Sequence, residues 1–249
     1  MPGVHSDCVG EPAERHEAAL HEIAFLGALD RAKDDERYDG ERDGCEDPDV
    51  ARPDLHLRSP GAADLTPRVA SVNVGRPREI SVGDELVRTS IWKDPVAGRV
   101  AVRGVNLAGD DQSDRTVHGG DRKAVYAYAR EDLDWWGDRL GQPLGSGTFG
   151  ENLTTEGIDV TGARVGERWR VGTTLLEVTQ PRLPCFKLEA RMDRPGFIEE
   201  FIDGGRPGAY LRIVDEGEVG AGDAVRVVSR PEDAPSMAEV MRRKTKRAE

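Results

Sequence analysis

The sequence predicts a mainly β fold, a closed or partly closed barrel-like sheet with a few short helices, preceded by an acidic segment predicted to be disordered. Three observations lead there. From Val69 to about Arg230, short alternating runs of strand length are separated by glycine-containing turns. A Gly-acid turn leading into such a run recurs at Val82-Gly83-Asp84-Glu85, Val165-Gly166-Glu167-Arg168 and Ala221-Gly222-Asp223-Ala224, and similar strand entries suit a sheet that pairs each strand on both sides. Charge is also unevenly spread: residues 1–66 hold 17 Asp and Glu against 7 Lys and Arg, about −10 of the formal −12 carried by all 249 residues.

That first segment has one short apolar run, Ile23-Ala24-Phe25-Leu26, and then polar and acidic stretches such as Lys33 to Asp39. It cannot bury enough apolar surface to offset its ordering entropy, and its single helical pattern runs from Glu14 to Ala32. The organisation read from the chain is an acidic extension over 1–66, a barrel domain over 67–230, and a short helical remnant and tail over 231–249. The better strands are 100–103, 124–128, 175–179, 210–214 and 225–228. A helix is predicted from Arg130 to Leu140, with Leu133, Trp136 and Leu140 on one face and Gly141 as its stop. Trp135 and Trp136 point about 100° apart around it, so one packs while the other lies nearer a surface or cleft. A second helix, from Ser236 to Arg243, reads as the start of an appendage.

Several classes are excluded or disfavoured. No apolar run approaches the ~20 residues of a membrane span, and the acidic start lacks the basic and apolar regions of a signal peptide, so a cytoplasmic location is expected. The three cysteines, with Cys8 and Cys45 in the acidic segment, form neither a disulfide framework nor a CxxC zinc pattern, and fall short of the cysteine set of an iron–sulfur cluster. Net acidity argues against general nucleic-acid binding.

The remaining cysteine lies in Gln180-Pro181-Arg182-Leu183-Pro184-Cys185-Phe186-Lys187. Proline cannot continue a central ladder, so Cys185 sits where a strand has just ended and can face a cleft. Arg182 and Lys187 favour its thiolate, the form that attacks electrophiles and binds soft metals. Inert burial is the competing reading of a free cysteine. A second cluster, Asp114-Arg115-Thr116-Val117-His118-Gly119-Gly120-Asp121-Arg122-Lys123, pairs glycines whose N–H groups can converge on an anion with the charges of Arg115, Arg122 and Lys123; a solvated hairpin turn is its alternative. His118 as base for Cys185 would suit thiol hydrolase chemistry, but no third orienting residue is evident. Zinc would need ligands beyond one His and one Cys. Gly145-Ser146-Gly147-Thr148-Phe149-Gly150 has the spacing of a dinucleotide fingerprint in the wrong context, after a helix rather than between strand and helix. It reads as a turn with close backbone approach, with Asn152 placed to offer its amide to a ligand.

Taken in order, Val117-His118-Gly119-Gly120 with Lys123-Ala124-Val125-Tyr126, Phe149-Gly150-Glu151-Asn152-Leu153-Thr154, and Gln180 to Cys185 resemble the MOSC domain, named for the C-terminal domain of molybdenum-cofactor sulfurases. Ser71 to Glu79 and Ile91-Trp92-Lys93 further resemble its stand-alone bacterial branch, which protects cells from N-hydroxylated purines such as 6-hydroxylaminopurine. The resemblance covers about 68–230. It implies a barrel-like fold and a molybdopterin-type cofactor, with Cys185 as the protein ligand to molybdenum and a catalytic residue together with His118. It further implies that Arg115, Gly119, Gly120, Lys123, Asn152 and Arg182 hold the cofactor or shape its pocket. After Ser236 only a remnant resembles the small helical domain that follows in this branch. The implied activity is reduction of small N-hydroxylated substrates, with electrons from an external reductase and a homodimer among the allowed assemblies. A carrier that passes molybdenum cofactor or sulfur to client enzymes is the rival from another class.

Overall fold

The computed structural model describes residues 66–113 and 119–246; the expectations for 1–65, Arg115 and His118 lie outside the described residues. In chain order the strands are β1 (Arg68–Val74), the hairpin β2 (Arg78–Val82) and β3 (Glu85–Thr89), β4 (Asp94–Pro95), β5 (Arg99–Arg103) and β6 (Asn106–Leu107). A 3-10 turn (Asp121–Lys123) precedes β7 (Val125–Ala129), helix α1 (Arg130–Leu140) and β8 (Leu153–Glu156). Then follow β9 (Arg168–Val171), β10 (Thr174–Gln180), α2 (Phe186–Met192), α3 (Phe197–Gly204), β11 (Ala209–Asp215), β12 (Gly217–Gly220), β13 (Val225–Ser229) and α4 (Met237–Lys246).

Eight strands form the main sheet in the order β13-β9-β10-β11-β7-β8-β1-β4. The sheet curls until the start of β1 meets β13: Arg68 bridges Ala224, Val69 N–H donates to the Asp223 carbonyl at 2.8 Å, and Val225 N–H donates to Pro67 at 2.7 Å. The partly closed barrel expected from the sequence is therefore observed. Its pairings are antiparallel except β7 with β8, which run parallel and so need α1 as a crossover. α1 has the expected bounds and stops at Gly141 in the left-handed conformation, φ 70°.

Two of the Gly-acid turns act as staples. Glu167, fully buried, accepts the Trp169 indole N–H at 2.7 Å and pairs with Arg230. Asp223 accepts Gly220 N–H at 2.8 Å and pairs with Arg99. The barrel interior is aliphatic around Trp169, with Val72, Val102, Leu153, Leu176 and Leu211. A second core lies under α1, α2 and α3 and is aromatic: Trp136 stacks on Phe201 at 5.9 Å, and Phe149 meets Tyr128 and Phe201 edge-on. Trp136 is the buried member of the tryptophan pair, whereas Trp135 is half-buried beside Arg206. The C-terminal helix is docked: Met237 enters the barrel core, its N–H donating to Ala163.

Candidate functional site

A cavity opens where β7 begins and β10 ends. β10 stops at Gln180, the prolines at 181 and 184 carry the chain across the barrel rim, and Cys185 follows in extended conformation, φ −146°. Its carbonyl accepts the N–H of Leu188 at 2.8 Å, starting α2. The half-buried thiol lines the cavity together with Lys93, Lys123, Arg182 and Lys187. Four cationic side chains therefore share one concavity with a single thiol and with the carboxylates of Asp110 and Asp111, which leaves an excess of positive charge.

The opposite wall is residues 90–93, an irregular stretch held between glycines. A Cβ at Gly150 would lie 2.8 Å from Ile91 Cγ1, and one at Gly147 would meet the Lys93 carbonyl. This is the close backbone approach expected of the glycine run. Glu151 fixes that run from within: fully buried, it accepts N–H donors from Gly147 at 2.6 Å and Phe149 at 3.0 Å and the Thr154 hydroxyl at 3.0 Å. Burial pushes its carboxyl above the usual range, and these hydrogen bonds oppose the shift.

Lys93 and Asp110 form a buried ion pair across the wall, with Nζ 2.6 Å from Oδ2. Asp110 also accepts Gly75 N–H at 2.7 Å and the Asn152 amide at 2.8 Å. Burial lowers the Lys93 ammonium from its ordinary value while Asp110 pulls it back.

Of the residues singled out in the sequence, Cys185, Lys123, Asn152 and Arg182 come together in this cavity. Two of them are committed to the wall. Asn152 donates to Asn73 and Asp110 and accepts Tyr126 N–H; Arg182 donates to the Phe149 carbonyl and lies 5.3 Å from the Tyr126 ring. Gly119 and Gly120 stand outside the lining. Gly120 N–H donates to the Gln112 side chain at 2.9 Å, so a side-chain acceptor inside the fold already uses one of the two donors of the expected nest. Sequence reasoning missed Asp110 and Gln112. No local pattern marks them, because their partners are brought in by the fold; the Asp110 contact with Asn152 spans 42 positions.

Among the described residues no three His, Cys, Asp or Glu side chains gather as a metal site. The donor set suits a different arrangement, one soft thiol for a metal that arrives with sulfur ligands on an anionic organic group. Cys185 would bind that metal, and Lys123 and Lys187 face the same space with charges that suit its phosphate. The molybdopterin-type cofactor implied by the resemblance therefore fits the residues present.

A curled β-barrel with a cationic, single-thiol cavity at its rim defines the class. The MOSC domain family model matches residues 114–226, and the chain belongs to the MOSC domain family. It is 33% identical over 169 residues to an uncharacterized protein of Bacillus subtilis, YflK, covering 68% of this chain and 76% of that one. The crystal structure of YiiM from Geobacillus stearothermophilus superposes with a TM-score of 0.59 at 32% identity, covering 73% of this chain and 85% of the other. A protein of Gibberella moniliformis named Reductase is 31% identical over 175 residues, and this chain spans 31% of its length. No helix among the described residues is long and apolar enough to cross a membrane.

Proposed function

We propose that the protein is a molybdenum-cofactor-dependent oxidoreductase that reduces the N–O bond of small N-hydroxylated compounds, including base analogues such as 6-hydroxylaminopurine. The observation that carries this reading is the single thiol of Cys185 facing a cavity lined by Lys93, Lys123, Arg182 and Lys187, in a chain of the MOSC domain family. The relative named Reductase supports it.

When bound, the cofactor supplies two-electron chemistry at a metal held by a protein thiolate. The chain's own residues position and protonate. Cys185 would hold the metal, Lys123 and Lys187 would neutralise the anionic group, and Arg182 and Asn152 keep the wall in register. Converting R–NHOH to R–NH2 and water takes up two electrons and two protons. His118 is assigned the proton-donor role, because imidazole titrates nearest neutrality. The glycine run at 145–150 forms a turn packed on residues 91–93 rather than a dinucleotide fingerprint, so a separate reductase is the proposed electron source.

The test uses protein purified from a host that makes the cofactor. Cys185→Ser is expected to lose molybdenum at least ~10-fold without a change in melting temperature, since an alcohol is a harder and far less acidic ligand. Unchanged metal content overturns the ligand assignment. With a chemical reductant, loaded protein should convert an N-hydroxylated purine to its amine, and His118→Ala should impair turnover more than molybdenum content. Loaded protein that reduces none of several N-hydroxylated substrates, yet passes its cofactor to an apo-enzyme, establishes the carrier reading instead.

A further inference from the structure

Two tryptophans are each flanked by two arginines, and the clusters differ in how their charge is balanced. At Trp135 the guanidiniums of Arg206 and Arg139 lie 4.6 Å and 5.6 Å from the ring centroid, and Arg206 is ion-paired with buried Asp132. At Trp92 those of Arg78 and Arg191 lie 4.9 Å and 5.4 Å away. Neither makes an ion pair or side-chain hydrogen bond among the described residues, and the Arg191 Nε–H is buried without an acceptor. Burial and then the like charge of Arg78 lower the Arg191 guanidinium from its ordinary value; Asp94 and Glu151 oppose this without reaching ion-pair distance.

The Trp92 cluster adjoins the cavity. Ile91 and Lys93, on either side of Trp92, line it, and so does Lys187. Lys187 precedes Arg191 by four residues on α2, and residues so spaced share a helix face. A cationic track therefore runs from beside Cys185 along α2 to Trp92 and Arg78.

We propose that Arg78 and Arg191, beside Trp92, form a binding site for a phosphate monoester at the rim of the Cys185 cavity, and that the phosphate is that of a purine nucleotide whose base lies toward the thiol. The guanidinium fork matches phosphate oxygens, and a dianion there would pair with two like charges that make no ion pair in the described fold. The nucleotide rests on the N-hydroxylated base reading above; the phosphate site does not. A bound cofactor's phosphate has the same chemistry and is the other source to be distinguished.

The experiment titrates cofactor-free full-length chain, at low ionic strength, with adenosine 5′-monophosphate, adenosine and inorganic phosphate. Tryptophan emission is the readout and Trp92→Phe the optical control. The monophosphate and inorganic phosphate should bind saturably, with adenosine at least ~10-fold weaker, and Arg78→Gln or Arg191→Gln should each weaken phosphate binding about 10-fold. Equal binding of nucleoside and nucleotide, or undiminished binding in the double variant, overturns the site. Without ligand, Arg191→Gln should melt no lower than the parent, because it removes a half-buried unpaired charge; a clear fall marks a packing role and overturns the proposal. In cofactor-loaded protein, retained monophosphate binding supports the nucleotide. Blocked binding, together with loss of molybdenum from the arginine variants, assigns the phosphate to the cofactor and overturns the nucleotide. Phosphate binding that persists in a protein unable to reduce N-hydroxylated purines removes the reductase reading and leaves the site standing.

Discussion

Inside the barrel, Val72, Val102, Leu153, Leu176 and Leu211 close around Trp169 with Glu167 as the buried carboxylate at the edge. In the wall of the Cys185 cavity, residues buried nearly as deeply are Lys93, Glu151, Asn152 and Arg182. The first region is held by apolar area, which is non-directional and tolerates swaps of similar volume. The second is held by donors and acceptors that each have a specific partner, so removing one leaves another buried and unsatisfied. The difference separates stability from site geometry: the barrel supplies a stable frame, and the polar wall fixes where Cys185, Lys123 and Lys187 stand relative to one another.

The largest expected stability loss is in the barrel. Trp169→Ala should cost about 4 kcal/mol in urea unfolding, from the cavity left behind and the lost indole donor to Glu167, while molybdenum retention well below the melting point stays near the parent's. Loss of metal in step with stability would break the distinction between the regions. Next comes the wall: Lys93→Met should cost about 3 kcal/mol, because it leaves Asp110 as a buried charge with only the Gly75 and Asn152 donors. Adding Asp110→Asn should restore much of that loss, and strict additivity of the two substitutions would show that the pair is not coupled.

The two regions were also unequally legible in the sequence. Thr174–Gln180 alternates buried and half-buried residues along its first part, and period 2 is what sequence patterns reveal. Helix α1 could be bounded because Leu133, Trp136 and Gly141 mark its face and its end. Helices α2 and α3, of 7 and 8 residues, span about two turns, too short for a helical period to register, and each follows a proline that reads as loop. β1 is legible only through the family motif, since its burial pattern does not alternate. In the site, Cys185 stood out because prolines and cations surround it locally. Asp110 did not, because its partners Gly75, Lys93 and Asn152 come from distant parts of the chain.

A smaller effect sharpens the comparison within the wall. Gly141 and Gly150 both have positive φ, 70° and 76°, but a Cβ at Gly141 meets open space while one at Gly150 meets Ile91. Gly141→Ala should cost about 1 kcal/mol, the conformational penalty alone. Gly150→Ala should cost about 2 to 3 kcal/mol, through added overpacking, and should shift Trp92 emission by moving its neighbour. Equal losses and an unmoved spectrum would mean that residues 90–93 yield freely and do not fix the wall.

The smallest effect is a pH dependence whose sign is set by burial. Lys93 is lowered from its ordinary 10.5, with desolvation the larger cause and Asp110 opposing it. Between that lowered value in the folded protein and 10.5 in the unfolded chain, the unfolded chain holds a proton that the folded protein has released, so this residue's contribution to stability rises with pH. Its destabilising effect is present in full below the folded value and is relieved as pH approaches 10.5. Tyr126 and Tyr128 act oppositely: burial raises both well above 10.0, so the unfolded chain loses their protons first and stability falls as pH climbs past that value. Comparing the parent with Lys93→Met from about pH 8 to about pH 10 cancels the tyrosine contribution. The parent's advantage over the variant should widen across that range, by less than about 1 kcal/mol, whereas its advantage over Trp169→Ala should stay flat, because no group on that side of the comparison titrates there. An advantage over Lys93→Met that narrows with rising pH would show that the Asp110 pairing outweighs burial and holds the ammonium above its ordinary value.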